Sequence, residues 1–232
     1  MNTDNMHHVY RFPLPAAPDQ PLSEFNHHLA GLIVFLVGIS AFLIYLSPRK
    51  FGFLRYVWPI GLLSLGIYLI IYSDAPGWPT SYVSIADTLN DPETMQHKIY
   101  ALLLISMGLI ELARAGGFAK GDSWKFAFPA LAAFGAIFLL FHHHSIPKQG
   151  MEMMPGMDMD SMHGMHEIGS RHNSHTSHTL IIYQHIGYVI CGLGIVVSKV
   201  LFDMRKLQGK AAPYIWPSLT MLLGIGLMLY RE

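Results

Sequence analysis

Residues 26–46 read NHHLAGLIVFLVGISAFLIYL: an amide, two histidines, then eighteen positions without a charged side chain, closed by Ser47-Pro48-Arg49-Lys50. A helix rises about 1.5 Å per residue, so about 20 such residues cover the roughly 30 Å of bilayer hydrocarbon. The stretch predicts a membrane-crossing helix with histidine at one end and basic residues at the other. Counting from His27 it extends to residue 47, and five more runs of the same kind follow at 54–73, 96–114, 124–144, 178–201 and 213–230. Backbone groups inside a bilayer must be satisfied within the protein, and six segments are too few to close a barrel. The expected fold is therefore all-α: an integral membrane bundle of six transmembrane helices.

The composition agrees. Of 232 residues, 52% are apolar and 13% charged, against roughly a quarter charged in soluble domains. Fifteen basic residues balance fifteen acidic ones, which leaves no basic stripe for a nucleic acid. The one cysteine, Cys191, sits within an apolar run, so neither an intrachain disulfide nor a thiolate metal cluster is expected. The N-terminal MNTDNMHHVYRFPLP lacks a basic stretch leading into a short apolar one, so no cleavable signal is expected. The division is an outer tail, 1–25, and one membrane domain, 26–232, with a long outer loop at 145–177.

Orientation follows from the excess of Lys and Arg on cytoplasmic loops. Arg49, Lys50 and Arg55 lie where runs one and two adjoin, Arg114, Lys120 and Lys125 where three and four do, and Lys199, Arg205, Lys206 and Lys210 where five and six do. These ten of the fifteen basic residues share one side, and twelve of the fifteen acids fall on the other. Both termini and the connections 74–95 and 145–177 are thus expected outside, in a multi-pass protein of the inner or plasma membrane.

A hairpin repeats three times. Asn26-His27, Gln96-His97 and Gln184-His185 open the odd runs; 32 residues after each histidine stand Pro59, Pro129 and Pro217, and thirteen further on stand Tyr72, His142 and Tyr230. Tyr56-Val-Trp58-Pro59 matches Tyr214-Ile-Trp216-Pro217, and Leu-Gly-Ile recurs at 65–67 and 223–225. The prolines are expected to open the even helices, where a missing N–H costs nothing. Taken alone, each tryptophan reads as an interfacial anchor. The three histidines at one spacing are not explained that way, and functional sites of repeat-built membrane proteins often lie where repeats meet.

If the hairpins share an axis, His27, His97 and His185 occupy one depth, with His28, His142, His143 and His144 beside them. A lone histidine at this level reads as an amphipathic headgroup-zone residue. Several from different spans read as a metal or cofactor site, because neutral imidazole ligates zinc, copper and iron. The preceding amides are chemically suited to support such ligands from a second shell. The loop SIPKQGMEMMPGMDMDSMHGMHEIGSRHNSHTSH, 145–178, holds seven of the fourteen methionines. Thioethers suit Cu(I) and imidazole takes either copper state. The expected loop donors are Met157, Met159, Met162, His163, Met165, His166, His175 and His178. His178 lies seven residues before His185 on one helical face, a path from loop to membrane site.

Lesser candidates are Glu111, fourteen residues past His97, read either as an ion relay or as a partner of Arg114; the tail Met6-His7-His8; and Asp74, Asp87, Asp91 and Glu93, read either as an acidic cation-gathering loop or as plain solvated residues.

Gln96-His97 opening a span that ends Gly108-x-x-Glu111, the aromatic Phe138–His144 segment closing on histidines, and Gln184-His185 opening the next span resemble the transmembrane protein 45 family of multi-helix membrane proteins. The similarity spans about residues 95–200 and implies a histidine-lined membrane site, without fixing an activity. That family's histidine-ended span also carries an internal acid, whereas Phe134 to Leu140 has none here, a departure from the pattern that a carried-over binuclear site would need. The loop is separately similar in composition to Met-rich copper-binding segments of bacterial copper-resistance proteins.

The sequence thus leads to a copper-binding membrane protein of copper homeostasis, resistance or delivery, with a site from His27, His97, His142 and His185. A binding role is favoured over an enzymatic one. The expected partners are the lipid bilayer, the metal ion, and a periplasmic copper protein or a larger membrane complex. The rival readings are a b-type cytochrome with one outer haem, a metal-dependent membrane oxidoreductase, a zinc site, and an accessory subunit.

Overall fold

The computed structural model describes residues 19–73, 78–79, 84–141 and 167–231, with residues 19–21, 87 and 167–179 described by backbone alone. Among the described residues there are only helices: α1 (Asp19–Leu46), α2 (Pro48–Phe51), α3 (Leu54–Tyr72), α4 (Ile85–Asn90), α5 (Pro92–Ala115), α6 (Ala127–Phe138), α7 (Glu167–Asp203) and α8 (Ala212–Met228). Short 3-10 turns, Asp122–Phe126 and Leu139–Phe141, extend α6 at both ends. All six expected segments are helical over nearly all of their described residues.

Four of them, Leu22–Leu46, Leu54–Tyr72, Asp122–Phe141 and Leu180–Asp203, are long and apolar enough to cross a membrane. By length and composition this is a membrane protein. Helix α8 is shorter, at 17 residues, and α5 carries the polar Gln96-His97-Lys98 in its second turn and Glu111 further on. The start of α5 is locally encoded: the Asp91 carboxylate accepts from the Thr94 N–H at 2.8 Å, and Pro92 takes the first helical position. Asp91 is thus a helix cap, not a member of a free acidic cluster. Helix α7 begins at Glu167, well upstream of residue 178. No proline lies between Pro155 and Pro213 and no glycine between Gly169 and Gly187, so nothing stops the helix from growing back out of the apolar run.

The long helices form a ring in chain order, α1–α3–α5–α6–α7–α8, and α8 closes onto α1. Two of the three seams between successive hairpins rest on glycine. At α8/α1, a Cβ on Gly224 would lie 2.5 Å from the Phe35 nitrogen, one on Gly31 2.7 Å from the Gly224 carbonyl oxygen, and one on Gly38 2.9 Å from the Pro217 carbonyl oxygen. At α3/α5, a Cβ on Gly66 would lie 2.7 Å from the Ala101 oxygen and one on Gly108 2.8 Å from the Pro59 oxygen. These backbones approach too closely for any side chain.

The two seams superimpose on the repeat. Gly66 and Gly224 each stand seven residues after a repeat proline, Gly31 and Ala101 four after a repeat histidine, and Gly38 and Gly108 eleven after. The third seam, α6/α7, has Ala136, Val189 and Val196 at these places.

At the basic end the residues preceding the repeat prolines, Trp58, Phe128 and Trp216, meet across the interior. Trp58 is 5.8 Å from Phe128 and 6.5 Å from Trp216, centroid to centroid. All three are buried. The tryptophans are therefore core residues of the bundle, not interfacial anchors, because their helices turn that face inward. The prolines correct a second expectation. Pro59 and Pro217 lie inside α3 and α8, past the first turn, because Leu54 and Ala212 already start those helices and Pro213 holds the early position in α8.

Candidate functional site

Histidines gather at the end of the bundle opposite the aromatic cluster. His27 and His185 are built alike. The Nδ1 of His27 lies 2.8 Å from the Ser23 carbonyl oxygen, and the Nδ1 of His185 lies 2.8 Å from that of Ile181, each four residues back on its own helix. A carbonyl only accepts, so each Nδ1 carries a proton. In the neutral ring the lone pair is then on Nε2, the tautomer that histidine ligands commonly adopt when a backbone carbonyl holds the other nitrogen.

Both rings rest on Tyr230. The His27 imidazole stacks on the phenol ring at 3.8 Å with a 16° interplanar angle. The His185 ring meets it edge-on at 6.2 Å and 83°, and also lies edge-on to Tyr188 at 5.9 Å. His28 points differently: its Nε2–H donates to the Tyr230 carbonyl oxygen at 3.0 Å. His97, half-buried, sits between the buried Gln96 and Lys98 in α5.

The amides beside the histidines have work of their own. Asn26 Nδ2 donates to the Tyr72 and Ser73 carbonyl oxygens at 3.0 and 3.3 Å, while its Oδ1 accepts from the Tyr68 hydroxyl at 3.1 Å. Gln96 Nε2 donates to the Phe141 oxygen at 2.7 Å. Each therefore satisfies orphan carbonyls at the end of the other helix of its hairpin. Lys98 does the same for the end of α3, reaching the Ile70 oxygen at 2.9 Å and Ser73 Oγ at 3.0 Å. Asn26 and Gln96 thus serve as caps for the helix ends whose carbonyls lie within their reach. Gln184 departs from the pattern: its Oε1 is buried with no hydrogen-bond partner among the described residues.

Of the expected site residues, then, the structure brings His27, His28 and His185 to Tyr230. Among the described residues no three His, Cys, Asp or Glu side chains stand close enough to hold a metal ion. His142, His143, His144, Met157, Met159, Met162, His163, Met165 and His166 lie outside the described residues, as does the Met6-His7-His8 tail; His175 and His178 fall within α7 where only the backbone is described. Tyr230 is the residue that sequence reasoning passed over. It was visible only as a repeat position, equivalent to Tyr72 and His142.

The opposite end holds buried charge. Ala41, Glu111 and Lys199 stand fourteen residues past the three repeat histidines, and all are buried. Glu111 pairs with Arg114 one turn on, as the simpler of its two readings expects. Lys199 pairs with Asp203 at 2.8 Å, with its Nζ 5.1 Å from the centre of the Trp216 ring. Neutral pairing of this kind is how charge is kept in a membrane interior at tolerable cost. No protein-family model, curated protein or solved structure matches the chain.

Proposed function

We propose that this chain is a membrane-embedded copper-binding protein acting in copper homeostasis, resistance or delivery. In this reading all six long helices cross the bilayer, the basic end faces the cytoplasm, and the histidine end and both termini face outward. The carrying observation is the pair His27 and His185: at equivalent repeat positions, on different helices, each gives its Nδ1–H to a carbonyl of its own helix, which puts the lone pair of the neutral ring on Nε2. The methionine-rich connection between α6 and α7 supplies soft thioethers for Cu(I), and it enters the membrane domain through the helix that carries His185. His97 and His142 complete the proposed ligand set, with the loop as the collector.

The deciding experiment is element-resolved metal analysis with a visible spectrum on detergent-purified protein, beside the His97→Ala/His185→Ala double variant. Copper near one per chain, lost in the variant and without a Soret band, is the expected result. Haem iron with a Soret band would replace this reading by a one-haem cytochrome. Equal copper in wild type and variant would remove the membrane histidines from the site.

A further inference from the structure

We infer that Tyr230 is the positioning residue of the histidine end, its ring tying the His27 imidazole of α1 to the His185 imidazole of α7. Helices α1 and α7 are not successive in the ring: each packs on α8, and they touch toward the basic end, where Tyr45 meets Phe202 edge-on at 5.4 Å. Tyr230 follows α8 and bridges them at the opposite end with three contacts: its ring under His27 at 3.8 Å, its ring against His185 at 6.2 Å, and its carbonyl oxygen holding His28 at 3.0 Å. Its own N–H is fixed on the Leu227 oxygen at 3.2 Å. The ring therefore stands at the end of a helix that is locked to α1 by glycine contact.

The repeat supplies the control. Tyr72 holds the equivalent place at the end of α3 and is 51% exposed, whereas Tyr230 is 0% exposed. Tyr72 behaves as an interfacial tyrosine, packed only on Tyr68 at 5.2 Å among the described ring contacts. Tyr230 is a core residue clamped between histidines, and a stacked imidazole loses rotational freedom about its χ2 torsion. With Nδ1 held along the helix and the ring plane held by the phenol, the direction of each Nε2 is set in advance. That this direction serves a metal rests on the function proposed above; the clamp itself does not.

The test is acylation of individual histidines by diethyl pyrocarbonate, followed by peptide mass spectrometry on the full metal-free chain in detergent. Tyr230→Leu is expected to raise the rates at His27 and His185 by about tenfold by local loosening, with His97 unchanged. Tyr230→Phe keeps the ring and should stay near wild type. Unchanged rates at His27 and His185 in Tyr230→Leu would overturn the inference. So would a Phe variant as reactive as the Leu variant, which would assign the role to the hydroxyl instead of the ring. If Tyr230→Leu also raises His97, the protein has come apart. Tyr230→His, a smaller ring, then decides: intermediate rates at His27 and His185 support the clamp, and wild-type rates sink it. In parallel, Cu(II) added to wild type and Tyr230→Leu and read by electron paramagnetic resonance should give one defined signal and a heterogeneous one. A wild type that takes up no copper would defeat the proposed function while leaving the acylation result to judge Tyr230.

Discussion

Two seams of this bundle are closed by glycine and one is not. At α8/α1 and α3/α5 the backbones touch through Gly31, Gly38 and Gly224, and through Gly66 and Gly108. At α6/α7 the equivalent places hold Ala136, Val189 and Val196, and the nearest approach by a glycine is Gly192, where an added Cβ would sit 3.2 Å from the Ala136 Cβ. Inside a bilayer, burying apolar surface between helices gains little over lipid, so close van der Waals contact through small residues holds helices together. Hairpins with the same chain spacing therefore join with unequal firmness. The looser join lies between the helices that the methionine-rich connection links.

The sharpest way to break this comparison is to fill the glycine seams. Gly224→Ala and Gly66→Ala place a methyl group 2.5 and 2.7 Å from backbone atoms of the facing helix, atoms that cannot rotate away. Each is expected to cost about 3 kcal/mol, at the upper end for overpacking, read as a fall in the thermal unfolding midpoint in detergent. Gly192→Ala should cost no more than about 1 kcal/mol, because at 3.2 Å from the Ala136 Cβ the two helices need part by only a few tenths of an ångström. Equal losses at the three sites would show that the seams do not differ.

A smaller effect sharpens the comparison of hairpins. Asn26→Ala strips the Tyr72 and Ser73 carbonyls and the Tyr68 hydroxyl of their partner, an expected loss of about 1–2 kcal/mol. Gln184→Ala removes an amide oxygen with no partner among the described residues and should be close to neutral. A loss at Gln184 as large as at Asn26 would mean that the third hairpin is capped in the same way as the first.

The smallest expected effect has the opposite sign. Gly187 lies in α7 with nothing within 4 Å of an added Cβ. Gly187→Ala should stabilise by up to about 1 kcal/mol through helix propensity alone. Measured beside Gly224→Ala, it separates glycines that serve contact from one that does not. Destabilisation at Gly187 would place an undescribed neighbour there.

Much of this architecture was legible in the chain. Apolar run length marked all six helices, and the spacing of histidine, proline and aromatic residues marked the threefold repeat, because both are local properties of the backbone period. The equivalence of His27 and His185 was expected from the same spacing, and both rings meet Tyr230. What could not be read was the rotation of each helix about its own axis. In a soluble protein a polar face reports that rotation, but a helix apolar all round carries no such label when lipid and interior are equally apolar. Only packing decided that Trp58, Phe128 and Trp216 turn into the bundle, that Asn26 and Gln96 reach helix-end carbonyls, and that Tyr230 is buried between histidines while Tyr72 faces out. Each depends on which backbones approach within contact distance, and glycines more than 150 residues apart, such as Gly31 and Gly224, meet only in the folded chain.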